Sequence, residues 1–363
     1  MDFGDYIKQN PTGKKYVLVT IDPDGSPLYL SSARFQTLPS DPDLPNKTFS
    51  SMIDEDGVPR MNRQLRDMWG GGSVASWGPV SLTSKLYRRM SDSEVNLSTA
   101  EIYGKKVEIR LSGPNEITTF DETTVTLIGY LNSREATVGQ GITLHVSDRK
   151  SRIDNVVPAA RFEADDMGAN FPSSNDGKIR QIVLGKWNNV PCTLVDSNTD
   201  TYEVSDPRFP VKDIVTVYNN GVDLSDGFTK DLANNRFTLS VPPSSNEVIT
   251  AEVEGVKDSV SGDMLTTVEE FVTFLLTEFA EVSESDIVIG DSVPTADAQY
   301  LITDDRSISN CLDELASGVI GTWFLSALDK VVFKLIEAPS ASVGAKLKQR
   351  HYLEDVSWQE VED

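Results

Sequence analysis

The chain has 363 residues, 39% of them hydrophobic and 25% charged, with two cysteines and a formal net charge of −23. That length holds two or three domains, each able to bury a core, and no run approaches the roughly 18 consecutive apolar residues of a membrane span. A basic patch is the usual footprint of a nucleic-acid binder, and the opposite balance here argues against tight DNA or RNA binding.

The acidity has two readings. It serves solubility, or it keeps a phosphate backbone that passes nearby from sticking. No basic-then-apolar leader opens the sequence. Cys192 and Cys311 show no framework spacing, so synthesis in a reducing compartment is expected.

In chain order, KYVLVTIDPDGSPLYLSS (15–32) predicts a hairpin, with a Pro/Asp/Gly turn between two apolar runs. Residues 38–60 hold too much proline and aspartate for a regular element. Glycines 70–72 follow next to Trp69 and Trp77. From Lys105 the pattern sharpens. Val107, Ile109 and Leu111 alternate with polar residues, then Val125, Leu127, Gly129 and Leu131, then Ile142, Leu144 and Val146. Three successive period-two segments predict antiparallel strands with one buried face.

Residues 149–178 lack periodicity and read as a long connector that clamps a neighbouring chain. From 180 to 253 the turn chemistry predicts a β-meander. Asn188-Asn189 separates IVLGKW from VPCTLV, and Asn220-Gly221 separates IVTVY from VDL, with RFTLSV and EVITAEV continuing it. Two helices come last. Val268, Phe271, Val272, Leu275, Leu276 and Phe279 form one helical stripe, and Ile308, Cys311, Leu312 and Leu315 a second. Gly318 and Gly321 are placed to end the second helix. A hairpin turning at Leu328-Asp329 follows.

The candidate chemistry is thin. Cys311 lies on the apolar stripe of its helix beside Asp313, and Cys192 is in phase with Val190 and Leu194, so both read as core side chains and not as nucleophiles. His145 and His351 lack a Cys, His or Glu partner at zinc-site spacing, and His145 falls on the polar face of its strand. The DFG at 2–4 has no accompanying kinase motifs. DPDG (22–25) and DEDG (54–57) do not continue into a calcium loop, and read as turns. Adjacent carboxylates Asp165-Asp166 and Asp304-Asp305 do not give glycosidase spacing from one element. The second pair instead favours the start of the following helix. No catalytic, cofactor or metal residue is therefore assigned, and the chain is expected not to be an enzyme.

Two stretches carry a resemblance. IYGKKVEIRLSG with FDETTVTLIGYLNSREATVGQGITLHVSDRKSRID, and SISNCLDELASGVIGTWFLSALDKVVFKL, resemble phage tail baseplate hub proteins. In those proteins a strand leads to an F-x-x-x-x-G-x-i element and then to an alternating strand ending in a D-R pair, here Asp148-Arg149. A helix followed by g-a-w-x-f and a strand is matched from Ser307 onward. Residues 176–196 resemble the family's G-K-x-x-P junction, with departures at the prolines. The first hundred residues carry no such likeness.

The resemblance implies a mainly β protein with two helices, built of antiparallel, tail-tube-like β-barrel or sandwich domains. The expected parts are 1–150, the connector 151–178, a β-domain at 179–256 and a helix and helix-hairpin region at 257–363 with an acidic C-terminus. It further implies a homotrimeric ring at the tail tip, located in the virion and assembled in the bacterial cytoplasm. The implied partners are distal tail and tail-tube proteins, the tape-measure protein and tail-tip fibre or spike proteins, with DNA passing unbound. Two alternatives stand beside it: the hexameric ring of a distal tail protein, and a carbohydrate-binding β-module using Trp69, Trp77 and Trp187.

Overall fold

The computed structural model describes residues 3–10, 13–53 except 23, 80–83, 102–114, 119–137, 141–149, 153, 157, and 160–336 except 226, 245 and 246. The expectations for 54–57, Gly70–72, Trp69, Trp77, His351 and the acidic C-terminus lie outside these residues. The fold is mainly β, in several sheets.

The chain opens with a short helix, α1 (Phe3–Gln9), whose Phe3 and Tyr6 are buried. An eight-stranded sheet follows: β1 (Tyr16–Ile21), β2 (Leu28–Ser31), β3 (Phe35–Gln36), β4 (Thr48–Ser51), β5 (Val80–Thr83), β6 (Lys106–Ser112), β7 (Thr124–Thr137) and β8 (Gly141–Ser147). Its order is β3-β4-β2-β1-β6-β7-β8-β5. The hairpin at β1–β2 and the run β6-β7-β8 are antiparallel, as the alternation predicts. Val107, Ile109, Leu127, Leu131, Ile142, Leu144 and Val146 share one core.

One correction falls here, because β4 lies inside the stretch expected to be irregular. Phe49 is the reason. It is buried edge-on against Phe35 and Tyr29, with centroids 5.5 and 5.0 Å apart. Such pairs add about 0.5–1.5 kcal/mol each beyond burial. β4 also pairs in parallel with β2, so tertiary contacts hold a strand that its flanking prolines would disfavour.

The described part of the connector packs on its own chain. It contains a one-turn helix, α2 (Ala164–Met167), and a 3₁₀ turn at Ser173–Asn175. Phe162 and Phe171 bury against Val195, and Ser197 N–H bonds to Asn170 O at 3.0 Å.

The second unit holds β9 (Ile182–Pro191), β10 (Thr193–Asp196), β11 (Thr201–Glu203), β12 (Val211–Asn219), β13 (Val222–Asp223), β14 (Phe228–Asp231), β15 (Arg236–Leu239) and β16 (Ile249–Val256). It is a sandwich and not a meander. β10-β11-β15-β14 form one sheet, while β16 crosses to pair with β12 and β9 in the other. The two sheets share a core that includes Val183, Val190, Tyr202, Phe237 and Val253.

Asn220-Gly221 forms the expected left-handed turn, with φ of 48° and 80°. Asn188-Asn189 does not turn. It lies within β9, where the register against β16 slips between Ala251 and Val253. The extra residue is absorbed as a bulge, because β16 pairs with β9 on both sides of it.

After β16 come α3 (Val268–Ala280), β17 (Ile287–Ile289), β18 (Gln299–Ile302), α4 (Ile308–Gly318), β19 (Gly321–Leu325) and β20 (Val331–Leu335). β18 adds to the edge of β9, so this region completes the second unit's larger sheet. Gly185 permits the approach: its φ is +77° and a Cβ there would strike Ala298 O. β17 pairs in parallel with β20, and β19 antiparallel with β20.

Both predicted helices are present, and the two stripes meet in one core with Trp323 and Phe333. Thr267 and Glu270 close a capping box on α3. α4 is capped by Ser307, whose hydroxyl accepts Asn310 N–H, and not by the preceding aspartates. Asp304 pairs with Arg306, and Asp305 with Arg161. Beyond Gly318 the left-handed residue is Ile320, with φ 55°, in place of either glycine. Two helices were expected; α1 and α2 are additional.

Candidate functional site

The residues weighed for catalysis are scattered. Asp165 and Asp166 lie exposed on α2. His145 sits half-buried with Nε2 3.6 Å from Glu135. The Asp22–Gly25 segment turns between β1 and β2, with Gly25 N–H on Asp22 O. Trp187 packs on the sandwich core and donates its indole N–H to Leu184 O at 3.0 Å. Among the described residues no group of three His, Cys, Asp or Glu side chains is placed to hold a metal.

Cys311 is fully buried, and desolvation pushes its thiol up to about 11, against the pull of Tyr300 and Arg306. Cys192 is half-buried on the sandwich core, and its thiol is likewise raised by desolvation. The thiolate is the reactive form, so neither cysteine should label rapidly at neutral pH in the native protein. Mass spectrometry after a timed pulse of thiol reagent should find both modified only in denaturant. Fast native labelling of Cys311 would restore the nucleophile reading.

What the structure does assemble is a junction around Arg149. β8 delivers this residue two positions after its last strand residue, Ser147, against the β19–β20 turn. Arg149 and Asp329 are 8% and 2% exposed, so both charges are out of water. Nε donates to Asp329 Oδ1 at 2.9 Å, Nη2 bonds Asp329 Oδ2, and Nη2 also reaches Asp286 at 3.2 Å. Tyr130, on β7, donates its hydroxyl to Asp329 at 2.8 Å. Ile128 N–H bonds Ala327 O at 2.7 Å, extending the contact along β7. Desolvation works against the arginine's charge, but Asp329, Tyr130 and Asp286 hold its pKa above the ordinary value. Planar bidentate pairing fixes orientation as well as distance. Each polar group in this set is engaged by another, an arrangement suited to holding two sheets in one geometry.

A second charged centre ties the connector to the sandwich. Glu203 lies between Arg180, 3.2 Å away, and Arg236, at 2.9 Å. Burial pushes this carboxyl up to about 6, although both arginines pull it down. Arg180 also covers the ring of Phe162, 4.9 Å from its centroid.

Between the sandwich and α3 runs a groove of about 830 Å³. Phe209 and Phe274 line it, edge-on at 5.1 Å, and Phe279 backs Phe209 at 5.4 Å. Asp258, Glu269, Glu278 and Glu284 line it. Arg208 also lines it, but its guanidinium is held by buried Asp206 at 2.7 Å.

Sequence reasoning found Arg149 only as half of a D-R pair and missed its partners. Asp329 stood in a predicted turn, and Asp286 had no signal. The groove was missed because Phe209 lies outside every periodic segment.

No protein-family model matches the chain, and no curated protein does. Among solved structures, it is similar to the 43 kDa tail protein of prophage MuSo2 from Shewanella oneidensis, at 9% identity and a TM-score of 0.37. That superposition covers 90% of this chain and 57% of that one, so this chain spans little more than half its length. It is also similar to a chain in the virion of a native gene transfer agent particle, at 10% identity and a TM-score of 0.29. The second match covers 69% of this chain and 84% of the other. Both scores are too low to define a shared fold, and the functional reading stands on this chain's own residues.

Proposed function

We propose that this chain is a non-enzymatic structural protein of a tailed-phage virion, a baseplate or tail-tip hub. One observation carries the reading. The two sequence stretches that resemble hub proteins are far apart in the chain, yet they converge at the buried Arg149–Asp329 pair. The strand run β6-β7-β8 supplies the arginine and Tyr130, and the α4–β19–β20 unit supplies the aspartate. A motif whose two halves meet through its own D-R pair behaves as one structural unit.

In this reading three copies close into a ring that joins the tail tube and distal tail protein to fibre or spike proteins. The ring encloses the tape-measure protein until ejection. Part of the −23 charge faces the bore, so DNA slides through without the phosphate contacts that lysines or arginines would make. Assembly takes place in the host cytoplasm.

The test is a symmetry count by electron microscopy of the purified protein or of its particle. Threefold rings with an acid-lined channel are expected. Sixfold rings would transfer the protein to the distal-tail role, and a channel lined by Lys and Arg would end the conduit reading. Reversing several bore carboxylates to lysine should slow DNA ejection while particles still assemble.

A further inference from the structure

We propose that Asn220-Gly221, at the tip of the β12–β13 hairpin, is a self-modification site: Gly221 N closes on Asn220 Cγ, and the fold promotes the step by holding Asn220 Oδ1 on Val248 N–H. It is the single Asn-Gly pair of the sequence. Val248 clasps Asn220 twice: the Asn220 N–H donates to Val248 O at 2.9 Å, and Asn220 Oδ1 accepts Val248 N–H at 3.0 Å. The second bond draws electron density from Cγ and meets the negative charge that grows on Oδ1 as a nucleophile adds, which is the task of an oxyanion donor. Both residues of the pair are exposed. Among the described residues the Gly221 N–H donates to no acceptor, and a Cβ on Gly221 would meet no atom within 4 Å, so this peptide has room to rotate. The glycines that follow an aspartate differ. Gly25, Gly177 and Gly227 each donate the corresponding N–H to a backbone oxygen, on Asp22, Phe162 and Leu224.

Hydroxide takes the Gly221 amide proton, the nitrogen forms a bond to Asn220 Cγ, and the Cγ–Nδ2 bond breaks with ammonia leaving. Water then opens the cyclic imide at either carbonyl and gives aspartate or isoaspartate. The balance is amide plus water for carboxylic acid plus ammonia, with nothing oxidised or reduced. Isoaspartate lengthens the backbone of the turn. Either product sets a negative charge beside Val222 and Val248, which are 67% and 60% exposed. The tip of the sandwich thereby gains a charge slowly and without reversal. The inference rests on the hairpin alone and does not depend on the tail reading.

Timed incubation of the full chain in mildly alkaline buffer tests it. Peptide mass spectrometry follows the change of amide to carboxylate, and electron-transfer fragmentation separates aspartate from isoaspartate. A parallel sample is held in guanidinium chloride, where the Val248 contact is absent. Asn220 should convert at least as fast in the folded protein as in the unfolded chain. Val248→Pro keeps the carbonyl that accepts Asn220 N–H but lacks the donor, and when folded it should convert about fivefold more slowly, the worth of one ordinary hydrogen bond. Unfolded, the two chains should react alike. The proposal is overturned if Asn220 converts more slowly in the native protein than in the unfolded chain, since the turn would then shield it. Equal rates in folded Val248→Pro and folded wild type overturn the role given to Val248. Should the proline prevent folding, seen as a lost urea transition, the native and unfolded wild-type rates decide the matter.

Discussion

Replacing Arg149 by methionine should lower folding stability by about 3–5 kcal/mol, the usual cost of leaving one member of a buried ion pair alone. Asp329 would be left at 2% exposure without its arginine, with the Tyr130 hydroxyl as its side-chain donor among the described residues. Lysine should rescue poorly, because an ammonium cannot reproduce the two-pronged contact to both carboxylate oxygens. The discriminating variant is R149M/D329N. Asparagine tolerates the left-handed backbone of position 329, where φ is 59°, and it removes the stranded charge. At least half of the lost stability should return in the double variant, and the non-additivity measures the coupling. Urea unfolding of the four proteins gives every value needed. If R149M costs under about 1 kcal/mol, the pair behaves as an ordinary surface salt bridge and the junction has been misread.

Trp323 to alanine should cost a similar amount, about 3–5 kcal/mol, as large-to-small changes at fully buried aromatics do. Its side chain has no exposure and sits where the stripes of α3 and α4 meet β19 and β20. The indole N–H also donates to Asp313 on α4 at 2.6 Å, so the tryptophan links helix to strand by packing and by a charged hydrogen bond. Phenylalanine keeps most of the volume and loses that bond, and should cost about 1–3 kcal/mol. An unchanged dependence on urea with a lowered midpoint is the expected signature. A near-neutral alanine variant would mean that the α4–β19–β20 unit does not close the core, and the resemblance at 307–335 would lose its structural meaning.

Several elements were readable from local chemistry because their signals are local. Val107–Ile109 and Ile142–Val146 alternate at period two and are buried at period two. The stripe from Val268 to Leu276 repeats at helical spacing and points into the core. Asn220-Gly221 demands positive φ and has it. Cys311 falls on an apolar stripe and is buried there. Each of these depends on residues within one or two turns or strand positions of one another.

The misreadings share a different cause. Asn188-Asn189 carries a turn signal, but the long ladder of β16 outweighs it and leaves a bulge. Thr48–Ser51 has turn-forming neighbours, but Phe49 gains Phe35 and Tyr29 and the backbone gains β2. The sandwich in place of a meander follows from the chain crossing between sheets at β9–β10, β11–β12, β13–β14 and β15–β16, which no local preference encodes. Pairing partners distant in sequence contribute more than local propensity at such positions.

The composition and short-range periodicity of this chain specify a mainly β protein with two principal amphipathic helices, because a strand or helix advertises its buried face in its own spacing. The joining of Arg149 to Asp329, the aromatic lining at Phe209 and Phe274, and the seat of the connector on Val195 come from the folded arrangement. A buried charge or an aromatic contact is defined by its partner, and here each partner lies tens to hundreds of positions away.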